Sequence, residues 1–392
     1  MPDTLTVTRL LTAKSDIGRT RIETTPQACE LGEGEILLRV DRFSLSANNM
    51  TYAALGETMK FWQFFRSPHA EWGHMPVWGF ADVVASAVEG IELGERLYGF
   101  LPIATHVYLR PERLTQRGFY DGTEHRSELP SIYNQYTRCA ADPVYLPELE
   151  NIQALLRPLF IMSFMLADFL QDNAFFGARR VMVSSASSKT AFGTAFCLDA
   201  RNGICLTGLT SAKNADFVQT LGCYDETVTY DGIATVDDSV PSIYVDFSGD
   251  AKLRARIHAH FGENLLYDCF AGSTANTEFL KDDPDLPGPK PIFFFVATQI
   301  KKRSADWGAA ELNRRIADAQ KRFFTRAAAP ANPMISGVEQ VGFESAQEII
   351  ASLSKGEGNP RECRVVSLQP GVLGTSTHVP VAHGRQLATR SS

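Results

Sequence analysis

The sequence predicts an α/β protein with two domains, a β-barrel followed by a doubly wound parallel sheet. One observation is the stretch 181–198, where an apolar strand runs into a turn of small residues and then into a helix with apolar spacing. A second is the series of short strands and glycine turns that precedes it. A third is the alternation of apolar strands with helix-length segments after it, with strands at 203–208, 226–231, 242–249 and 264–272.

The N-terminal part of the chain is typical of a small barrel. Residues 34–40, 76–86 and 94–100 have the apolar content of strands, with glycines where backbones bend or approach closely. Residues 110–147 hold few periodic apolar positions, and we expect an irregular insertion there. Residues 152–170 then show the apolar spacing of a helix that leads into the strand at 181.

The C-terminal part completes the second domain and returns to the first. Residues 291–297 are an apolar run that predicts a further strand, and residues 308–326 form a strongly amphipathic helical pattern. With 392 residues the chain is long enough for two cores. The predicted division is 1–150 for the first domain, 151–328 for the second, 329–370 for a return to the first domain and 371–392 for a mobile tail.

Composition narrows the class of partner. The net charge of -7 argues against nucleic acid or an anionic membrane, since either favours a basic surface, and small substrates are expected instead. Seven scattered cysteines without a C-x-x-C pair fit a reducing cytoplasm. The N-terminus lacks a basic region followed by an apolar one, and no apolar run approaches the roughly 18 residues of a membrane span. We therefore predict a cytoplasmic protein.

The turn after Val183 has the features of a phosphate-binding site. Small residues at Ser185, Ser188 and Ala191 allow a tight turn, and the following helix directs free backbone N–H groups and its dipole at one place. In the pattern G-x-G-x-x-G, glycines serve these purposes. The alternative is an ordinary buried turn between strand and helix. The predicted cofactor contacts here are Ser185, Ala186, Ser187, Ser188, Lys189 and Thr190.

Four segments resemble, in order, motifs of the medium-chain dehydrogenase/reductase superfamily, and of its zinc-free quinone-reductase or enoyl-reductase branch most closely. Residues 48–52 are similar to its Asn-x-x-Asp-x-Tyr region and 76–84 to its Pro-x-x-x-Gly-x-Asp strand. Residues 94–99 resemble its Gly-Asp-Arg-Val-x-Gly turn and 183–189 its small-residue phosphate turn. The resemblance covers nearly the whole chain apart from the insertion and the tail.

The resemblance implies a GroES-like β-barrel domain, a Rossmann dinucleotide-binding domain and an oxidoreductase activity. We also expect a homodimer. The sequence departs from the pattern in three places, because the phosphate turn lacks glycines, Thr51 replaces an acid, and Lys189 lies inside the turn. These departures indicate a divergent branch, whose activity need not be that of the branch as a whole.

Cofactor choice is expected to be decided after the second strand of the Rossmann domain. An acidic residue there would bind a ribose 2′-hydroxyl and repel a 2′-phosphate, but the sequence has Thr210, Ser211 and Lys213. Two hydroxyls and an ammonium suit a 2′-phosphate, so NADPH is the predicted cofactor. The alternative for Lys213 is a solvated lysine. Tyr230 is expected either near the adenine or simply packed.

The nicotinamide end of the cofactor is expected at the ends of the fourth and fifth strands. Small residues there would allow a ring to approach the backbone closely. The residues predicted to line this part of the site are Phe247, Ser248, Gly249, Phe270 and Gly272.

No zinc is expected, because the places of the superfamily's zinc ligands hold Asn48, Asn49 and residues 76–79 instead of Cys, His and Glu. His69 and His74 lie nearby without a ligand spacing, and a structural role is favoured for both. A proton donor is then needed, and the resemblance points to Tyr52, because related enoyl reductases place a proton-donating tyrosine in this loop region.

Tyr52 is therefore the predicted catalytic acid, with Asn48 and Thr51 placed to hold the substrate oxygen. A phenol with a pKa near 10 stays protonated at pH 7 and is able to donate as hydride arrives. The alternative is that Tyr52 only packs, in which case Tyr133 and Tyr136 of the insertion become the candidates.

Two functions remain open from the sequence. The first is an NADPH-dependent, zinc-independent reductase of an apolar enone, quinone or ketone. The second is a nucleotide-binding protein that has lost catalysis and serves as a sensor or subunit. Serine hydrolysis is disfavoured, because no G-x-S-x-G motif surrounds Ser185 or Ser188.

Overall fold

The computed structural model describes residues 4–28, 30–198, 203–272 and 286–368, and its strands form three sheets. The strands are β1 (Thr4–Ala13), β2 (Asp16–Ala28), β3 (Ile36–Leu45), β4 (Trp72–Gly73), β5 (Pro76–Ser86), β6 (Arg96–Pro102), β7 (His106–Leu109), β8 (Pro111–Thr115), β9 (Gly118–Asp121), β10 (Gln135–Arg138), β11 (Arg180–Val183), β12 (Cys205–Thr210), β13 (Glu226–Thr229), β14 (Ser242–Asp246), β15 (Leu265–Phe270), β16 (Ile292–Phe293), β17 (Ser336–Val341) and β18 (Glu362–Ser367). The α-helices are α1 (Ala47–Ala54), α2 (Glu150–Asp172), α3 (Lys189–Cys197), α4 (Ala215–Leu221), α5 (Ala251–Phe261), α6 (Val296–Trp307), α7 (Ala309–Ala327) and α8 (Gly342–Ser354). The predicted tail, 371–392, lies outside the described residues.

The first domain is built from two sheets. Strands β2, β1 and β4 form the smaller one, and the larger has the order β17-β18-β3-β5-β6-β10-β9-β8, with β7 also paired to β3. Its core gathers apolar side chains of β3 and β5 against Ile350 of α8. Because β18 pairs with β3, the C-terminal part of the chain lies in the sheet of the N-terminal part.

The second domain is a six-stranded parallel sheet with the order β13-β12-β11-β14-β15-β16. Alternate residues of β11 enter different clusters, since Val181 and Val183 pack beneath α2 and Met182 packs against Leu253 and Ile257 of α5. The chain moves outward from β11 in one direction and returns beside it at β14. This reversal creates a crevice at the carboxyl ends of β11 and β14, where doubly wound sheets bind ligands.

Helix α2 corrects one expectation from the sequence. The segment Pro147–Asp172 is long and apolar enough to cross a membrane by length and composition, and it is the one such helix in the part of the chain that the structure describes. However, 56% of its most apolar window is buried inside the protein. The helix packs against α3, α6 and α7 and against β3 and β18, so its apolar faces are explained by the core.

The segment 110–147 differs from the predicted irregular insertion, because it supplies β8, β9 and β10 to the larger sheet. Its sequence has few apolar residues since an ion pair replaces part of an apolar core. The Arg126 guanidinium donates to Asp121 at 2.7 Å and to the Asn134 side chain at 2.9 Å, and Arg126 is 1% exposed. A buried charge of this kind is stable only when it is paired and hydrogen-bonded.

The predicted strand at 291–297 is wrong over most of its length. Only Ile292 and Phe293 pair as β16, and helix α6 already begins at Val296. Phe294 is buried, with its ring 5.3 Å from that of Phe169, whereas Phe295 is 59% exposed. The apolar run therefore belongs to three local environments, and hydrophobicity alone did not separate them.

A charged cluster joins the two domains where α2 begins. The Arg96 guanidinium of β6 donates to both carboxylate oxygens of Glu150, the first residue of α2, and to Asp82 at 2.8 Å. It also donates to Asp41 of β3, which accepts from Arg42 as well. Burial opposes the charge on Asp41, yet these two guanidinium groups hold the pKa of its carboxyl below the ordinary value. The cluster fixes the direction in which α2 leaves the first domain.

We expect Arg96→Met to lower the free energy of unfolding by about 3 kcal/mol, because it leaves the partly buried carboxylates of Glu150 and Asp41 without their cation. Urea denaturation at pH 7 measures the change. Arg117→Met is the matched control, since this arginine is exposed, and a change below about 0.5 kcal/mol is expected for it. Equal stability of the two variants would contradict a structural role for the cluster.

Candidate functional site

The largest group of sequence-predicted site residues meets at one cavity of about 650 Å³. The cavity opens at the carboxyl ends of β11 and β12 and is closed on its other side by α1 and by the segment before β18. The predicted residues that line it are Asn48, Thr51, Tyr52, Ser185, Ser187, Ser188, Lys189, Thr190, Thr210, Ser211, Lys213, Tyr230, Phe247 and Gly272.

The turn between β11 and α3 takes the shape of a phosphate-binding turn without glycine. Ser185 has φ of 49°, in the left-handed region that glycine adopts most easily. Ser188 caps α3, and its hydroxyl accepts the Ala191 backbone N–H at 3.3 Å. Helix α3 thus points its N-terminus, with its partial positive charge, into the cavity.

Tyr230 is hydrogen-bonded to this turn. Its hydroxyl accepts the Ser185 backbone N–H at 3.1 Å, which gives the turn a partner within the protein. Ala186 does not line the cavity, because its side chain is buried and its carbonyl accepts the Tyr224 hydroxyl at 3.0 Å. Ser187 accepts the Asn214 side-chain amide at 3.2 Å, so the two turns of the site are linked.

The end of β12 offers the hydroxyl and ammonium groups that the sequence indicated. Thr210 is 1% exposed, and its hydroxyl has no hydrogen-bond partner among the described residues. A buried hydroxyl that lines a cavity without a partner is suited to a ligand, because leaving it unpaired costs about 1–3 kcal/mol. Ser211 lies beside it, and Lys213 is exposed at the rim. No acidic side chain stands between Thr210 and Lys213.

Lys189 is the first residue of α3, where both the helix dipole and its surroundings disfavour a cation. Burial lowers the pKa of Lys189 from 10.5 to about 8, although the Glu362 carboxylate acts in the opposite direction. The fold therefore places the ammonium of Lys189 where its charge is unfavourable. An anion bound in the cavity would lower the free-energy cost of that charge.

Asp246 organises the turn after β14. It is fully buried and accepts the Ser184 hydroxyl at 2.9 Å, the Ser248 hydroxyl at 2.8 Å and the Gly249 backbone N–H at 3.1 Å. Ser248 and Gly249 are therefore part of the support of the site and do not line the cavity. Phe247 does line it.

In the corresponding turn after β15, some of the residues line the cavity and others are packed behind them. Phe270 is 4% exposed and lies under the Arg254 guanidinium, 5.3 Å from its ring centroid, so it does not line the cavity. Its neighbours Ala271 and Gly272 do.

Tyr52 is placed on α1 with its ring buried and its hydroxyl toward the cavity. The ring packs 4.6 Å from Phe61 and 5.5 Å from Phe100, and the hydroxyl accepts the Trp78 indole N–H at 3.2 Å. Burial raises the pKa of Tyr52, against hydrogen bonds from Trp78, Asn48 and Tyr133 that lower it. The phenol is thus protonated at neutral pH and able to act as an acid.

The other polar residues of the first domain have separate roles. The Thr51 hydroxyl bonds within its own helix, to the Ala47 carbonyl, at 3.4 Å. Asn49 completes the capping box of α1, since its side-chain oxygen accepts the Ser46 backbone N–H at 2.9 Å, and its amide donates to the Pro76 carbonyl at 3.1 Å. Tyr133 lines the cavity, but Tyr136 is fully buried and donates to the Phe100 carbonyl at 2.6 Å, which rules it out as an alternative acid.

The histidines near α1 have local partners or are buried. His69 pairs with Glu23 at 2.8 Å, and burial lowers the pKa of His74 to about 4, so His74 is neutral at pH 7. In residues 4–28, 30–198, 203–272 and 286–368, no three His, Cys, Asp or Glu side chains are grouped closely enough to hold a metal ion.

Sequence reasoning missed the part of the wall that comes from distant segments. Met162 of α2 and Leu353 of α8 add apolar surface, and Arg364 of β18 adds a cation. Two turn signals, Gly358 and Pro360, mark the loop before β18, but nothing local connects them with the turn at Ser185. The other unpredicted wall residues are Leu45, Ser46, Ala47, Pro158, Leu159, Asn214, Ala271, Asn359 and Glu362.

Comparisons with known proteins agree with this architecture. A family model described as "Protein of unknown function (DUF2855)" matches residues 43–359, and a search of the curated proteins found no significant match. CurA from Vibrio vulnificus is a similar solved structure, with a TM-score of 0.56 and 16% identity over 93% of this chain and 100% of that chain. It has also been crystallised with NADPH.

A complex of Etr1p with NADP and crotonyl-CoA is similar as well, with a TM-score of 0.56 and 12% identity over 93% of this chain and 100% of that chain. An enoyl thioester reductase from Candida tropicalis matches with a TM-score of 0.53 and 12% identity over the same shares of the two chains. At these identities the likeness shows the fold. It confirms the predicted fold, a β-barrel domain joined to a doubly wound parallel-sheet domain.

Lys189 is expected to lower the stability of the protein at neutral pH. Its pKa is about 8 in the folded state and 10.5 unperturbed, so between these values the unfolded chain binds more protons and stability rises with pH. Lys189→Met should therefore increase the free energy of unfolding at pH 7 by roughly 1–2 kcal/mol, less than the full shift gives because the side chain is partly exposed.

Urea denaturation at pH 7 and at pH 9.5 measures this effect, and the gain should shrink at the higher pH. Lys213→Met is the control, since its side chain is exposed and a change below about 0.5 kcal/mol is expected for it. A loss of stability in Lys189→Met at pH 7 would show that Lys189 is stabilised by its neighbours.

Proposed function

We propose that this chain, which belongs to the family described as Protein of unknown function (DUF2855), is an NADPH-dependent reductase of an apolar substrate with a conjugated carbonyl group. The observation that carries the proposal is the shared cavity. One cavity joins the N-terminus of α3, the hydroxyl of Thr210 and the phenol of Tyr52. Similar structures are named as enoyl reductases and as complexes with NADPH or NADP.

The residues of the cavity fit a dinucleotide with a 2′-phosphate. The turn at Ser185 and the start of α3 suit the pyrophosphate, with Lys189 beside them. Thr210, Ser211 and Lys213 suit the 2′-phosphate, because they supply hydroxyl donors and a cation where an acid would repel it. Bound there, the cofactor supplies hydride.

The first domain supplies the proton and the substrate wall. Tyr52 donates its phenolic proton to the substrate as hydride arrives, and Asn48 lies on the same wall to orient the substrate oxygen. The apolar wall, which includes Leu159, Met162 and Leu353, excludes water and favours an enone, quinone or ketone without charge near the reacting group. This chemistry needs no zinc. The proposed location is the cytoplasm, because its reducing conditions suit scattered cysteines.

A nucleotide-binding protein without catalysis is the second candidate. It is favoured by one observation, that the Tyr230 hydroxyl already occupies the Ser185 N–H which a phosphate would use. The two candidates differ in turnover. Oxidation of NADPH in the presence of enones, quinones and ketones supports the reductase, and binding of NADPH without turnover supports the sensor or subunit.

We expect NADPH to bind at least tenfold more tightly than NADH, a difference of about 1.4 kcal/mol. Lys213→Ala should weaken the binding of NADPH and leave that of NADH nearly unchanged, because the proposed partner of the lysine is the 2′-phosphate, which NADH lacks. Fluorescence titration of both nucleotides measures the affinities, with Lys252→Ala, another exposed lysine of the same domain, as the control. Equal affinities of wild type for the two nucleotides would contradict this assignment.

Tyr52→Phe is expected to lower kcat by about 10²-fold with NADPH affinity unchanged, the scale of a lost general acid. The phenyl ring keeps its packing against Phe61 and Phe100, so binding and chemistry separate. Steady-state kinetics on an enone or quinone that the wild type reduces gives the result. The same assay after dialysis against a chelator should show undiminished activity if zinc is not involved. Undiminished turnover in Tyr52→Phe would assign the tyrosine to packing.

We further propose a homodimer that pairs the β16 edges of two parallel sheets. β16 is the last strand of the parallel sheet in the part of the chain that the structure describes, and its Ile292 and Phe293 are each 51% exposed. An apolar strand at a sheet edge favours association. Phe293→Glu should shift the mass measured by light scattering from dimer to monomer. Leu93→Glu is the control, because this leucine is 67% exposed on a turn of the other domain. A dimer that survives Phe293→Glu would place the interface elsewhere.

A further inference from the structure

The hydroxyl oxygen of Tyr52 accepts a hydrogen bond from a residue outside its own helix. The Trp78 indole N–H lies 3.2 Å from it, and since indole has no acceptor, the direction of this bond is certain. Asn48 and Tyr133 line the same cavity beside it, and both lower the pKa of Tyr52. These groups come from three separate segments: Asn48 from α1, Trp78 from β5 and Tyr133 from the short 3-10 helix Ser131–Asn134.

The rings hold this arrangement in place. The Tyr133 ring lies edge-on to Tyr52, with 6.1 Å between centroids, and edge-on to Phe61 at 5.4 Å. Trp78 stacks on Tyr98 at 5.6 Å with an angle of 15° between the planes. The Trp78 N–H therefore meets the Tyr52 oxygen without having to reorganise during a reaction, which is the condition for electrostatic stabilisation of a developing charge.

A phenol accepts hydrogen bonds more readily after it has lost its proton. Its oxygen carries one hydrogen and two acceptor positions, and loss of the proton opens a third. Hydrogen bonds to a charged oxygen are also about twice as strong as those to a neutral one. Burial raises the pKa of Tyr52, but the Trp78 N–H favours its deprotonated form, as a transition state of proton donation requires.

We infer that Trp78 and Tyr133 are positioning residues, which hold the Tyr52 oxygen and stabilise the negative charge that it acquires when it gives its proton to the substrate. The inference rests on the proposed function. In the step, the O–H bond of Tyr52 breaks, its proton goes to the substrate that receives the hydride, and the electron pair stays on the Tyr52 oxygen. Tyr52, which lines the cavity, then regains its proton from water.

This inference gives a function to the segment 110–147. The buried pair of Arg126 and Asp121 fixes the segment against the barrel, and Arg126 also donates to the Tyr133 carbonyl at 3.0 Å. The ion pair therefore holds the backbone from which the Tyr133 side chain reaches the cavity. A segment with few apolar residues is in this way able to place one phenol accurately.

The kinetic test uses Trp78→Phe and Tyr133→Phe, which remove a donor and keep a ring. Each should lower kcat about tenfold, leave KM and NADPH affinity nearly unchanged, and increase the solvent deuterium isotope effect, because proton donation becomes more strongly rate-limiting. Trp72→Phe and Tyr120→Phe are the matched controls, since neither residue lines the cavity. In a Tyr52→Phe background, Trp78→Phe should cause no further loss, because its effect acts through the missing hydroxyl.

The outcomes separate the inference from the proposed function. Loss of turnover in Tyr52→Phe together with wild-type turnover in Trp78→Phe and Tyr133→Phe overturns the inference and leaves the reductase intact. Wild-type turnover in Tyr52→Phe overturns both the acid role and the inference. A further loss when Trp78→Phe is added to Tyr52→Phe assigns Trp78 to packing.

A second measurement needs no substrate. The protein has four tryptophans, so a spectrum of nitrogen-15-labelled indole groups has few signals, and the one missing in Trp78→Phe identifies Trp78. Its N–H signal should shift in Tyr52→Phe, because the indole loses its acceptor. An unmoved Trp78 signal overturns the inference whatever the activity.

Discussion

The ion pair between Arg96 and Glu150 determines where the two domains meet. Glu150 begins α2, and α2 is the core helix of the parallel sheet, so a carboxylate held under a guanidinium of β6 sets the position of a whole domain. Asn151 extends the contact, since it accepts from Arg42 at 3.0 Å and donates to Glu339 of β17 at 2.8 Å. The cavity lies between α1 and the β11–α3 turn, which belong to different domains. Its width therefore depends on charged contacts that lie outside it.

Local patterns allowed much of the fold to be predicted. The strand, turn and helix from Val181 to Leu198 are contiguous, so their periodicity was sufficient to identify them. The strands in 110–147 were missed because the Arg126–Asp121 pair, a buried contact, replaces the apolar alternation that a strand usually shows. The prediction of a strand at 291–297 was wrong for the opposite reason. The residues are continuously apolar, but they are divided between a two-residue strand and the start of a helix. Periodicity identifies elements that bury one face, and both exceptions depart from that condition.

The same distinction explains the candidate site. The turn at Ser185 and the residues after β12 follow their strands directly, and parallel strands bring such ends together. Arg364 and Leu353 reach the cavity only because β18 pairs with β3, and no local signal announces that pairing. Tyr133 and Tyr136 are three residues apart, yet Tyr133 lines the cavity and Tyr136 is buried in the core. A short 3-10 helix ends between them, and Tyr136 belongs to β10. Sequence alone treats the two phenols as equivalent.

The phosphate turn shows how the fold is kept without its usual glycines. Ser185 adopts φ of 49°, which is unfavourable for a residue with a side chain, and the Tyr230 hydroxyl compensates by accepting its backbone N–H. The contact that stabilises the turn thereby uses a donor which a phosphate would need. An anion at this turn has to displace or share the Tyr230 hydroxyl, whereas the N-terminus of α3 and the ammonium of Lys189 still face it. Binding would then depend less on the turn itself and more on these positive groups, which is consistent with a lysine kept where its charge is unfavourable.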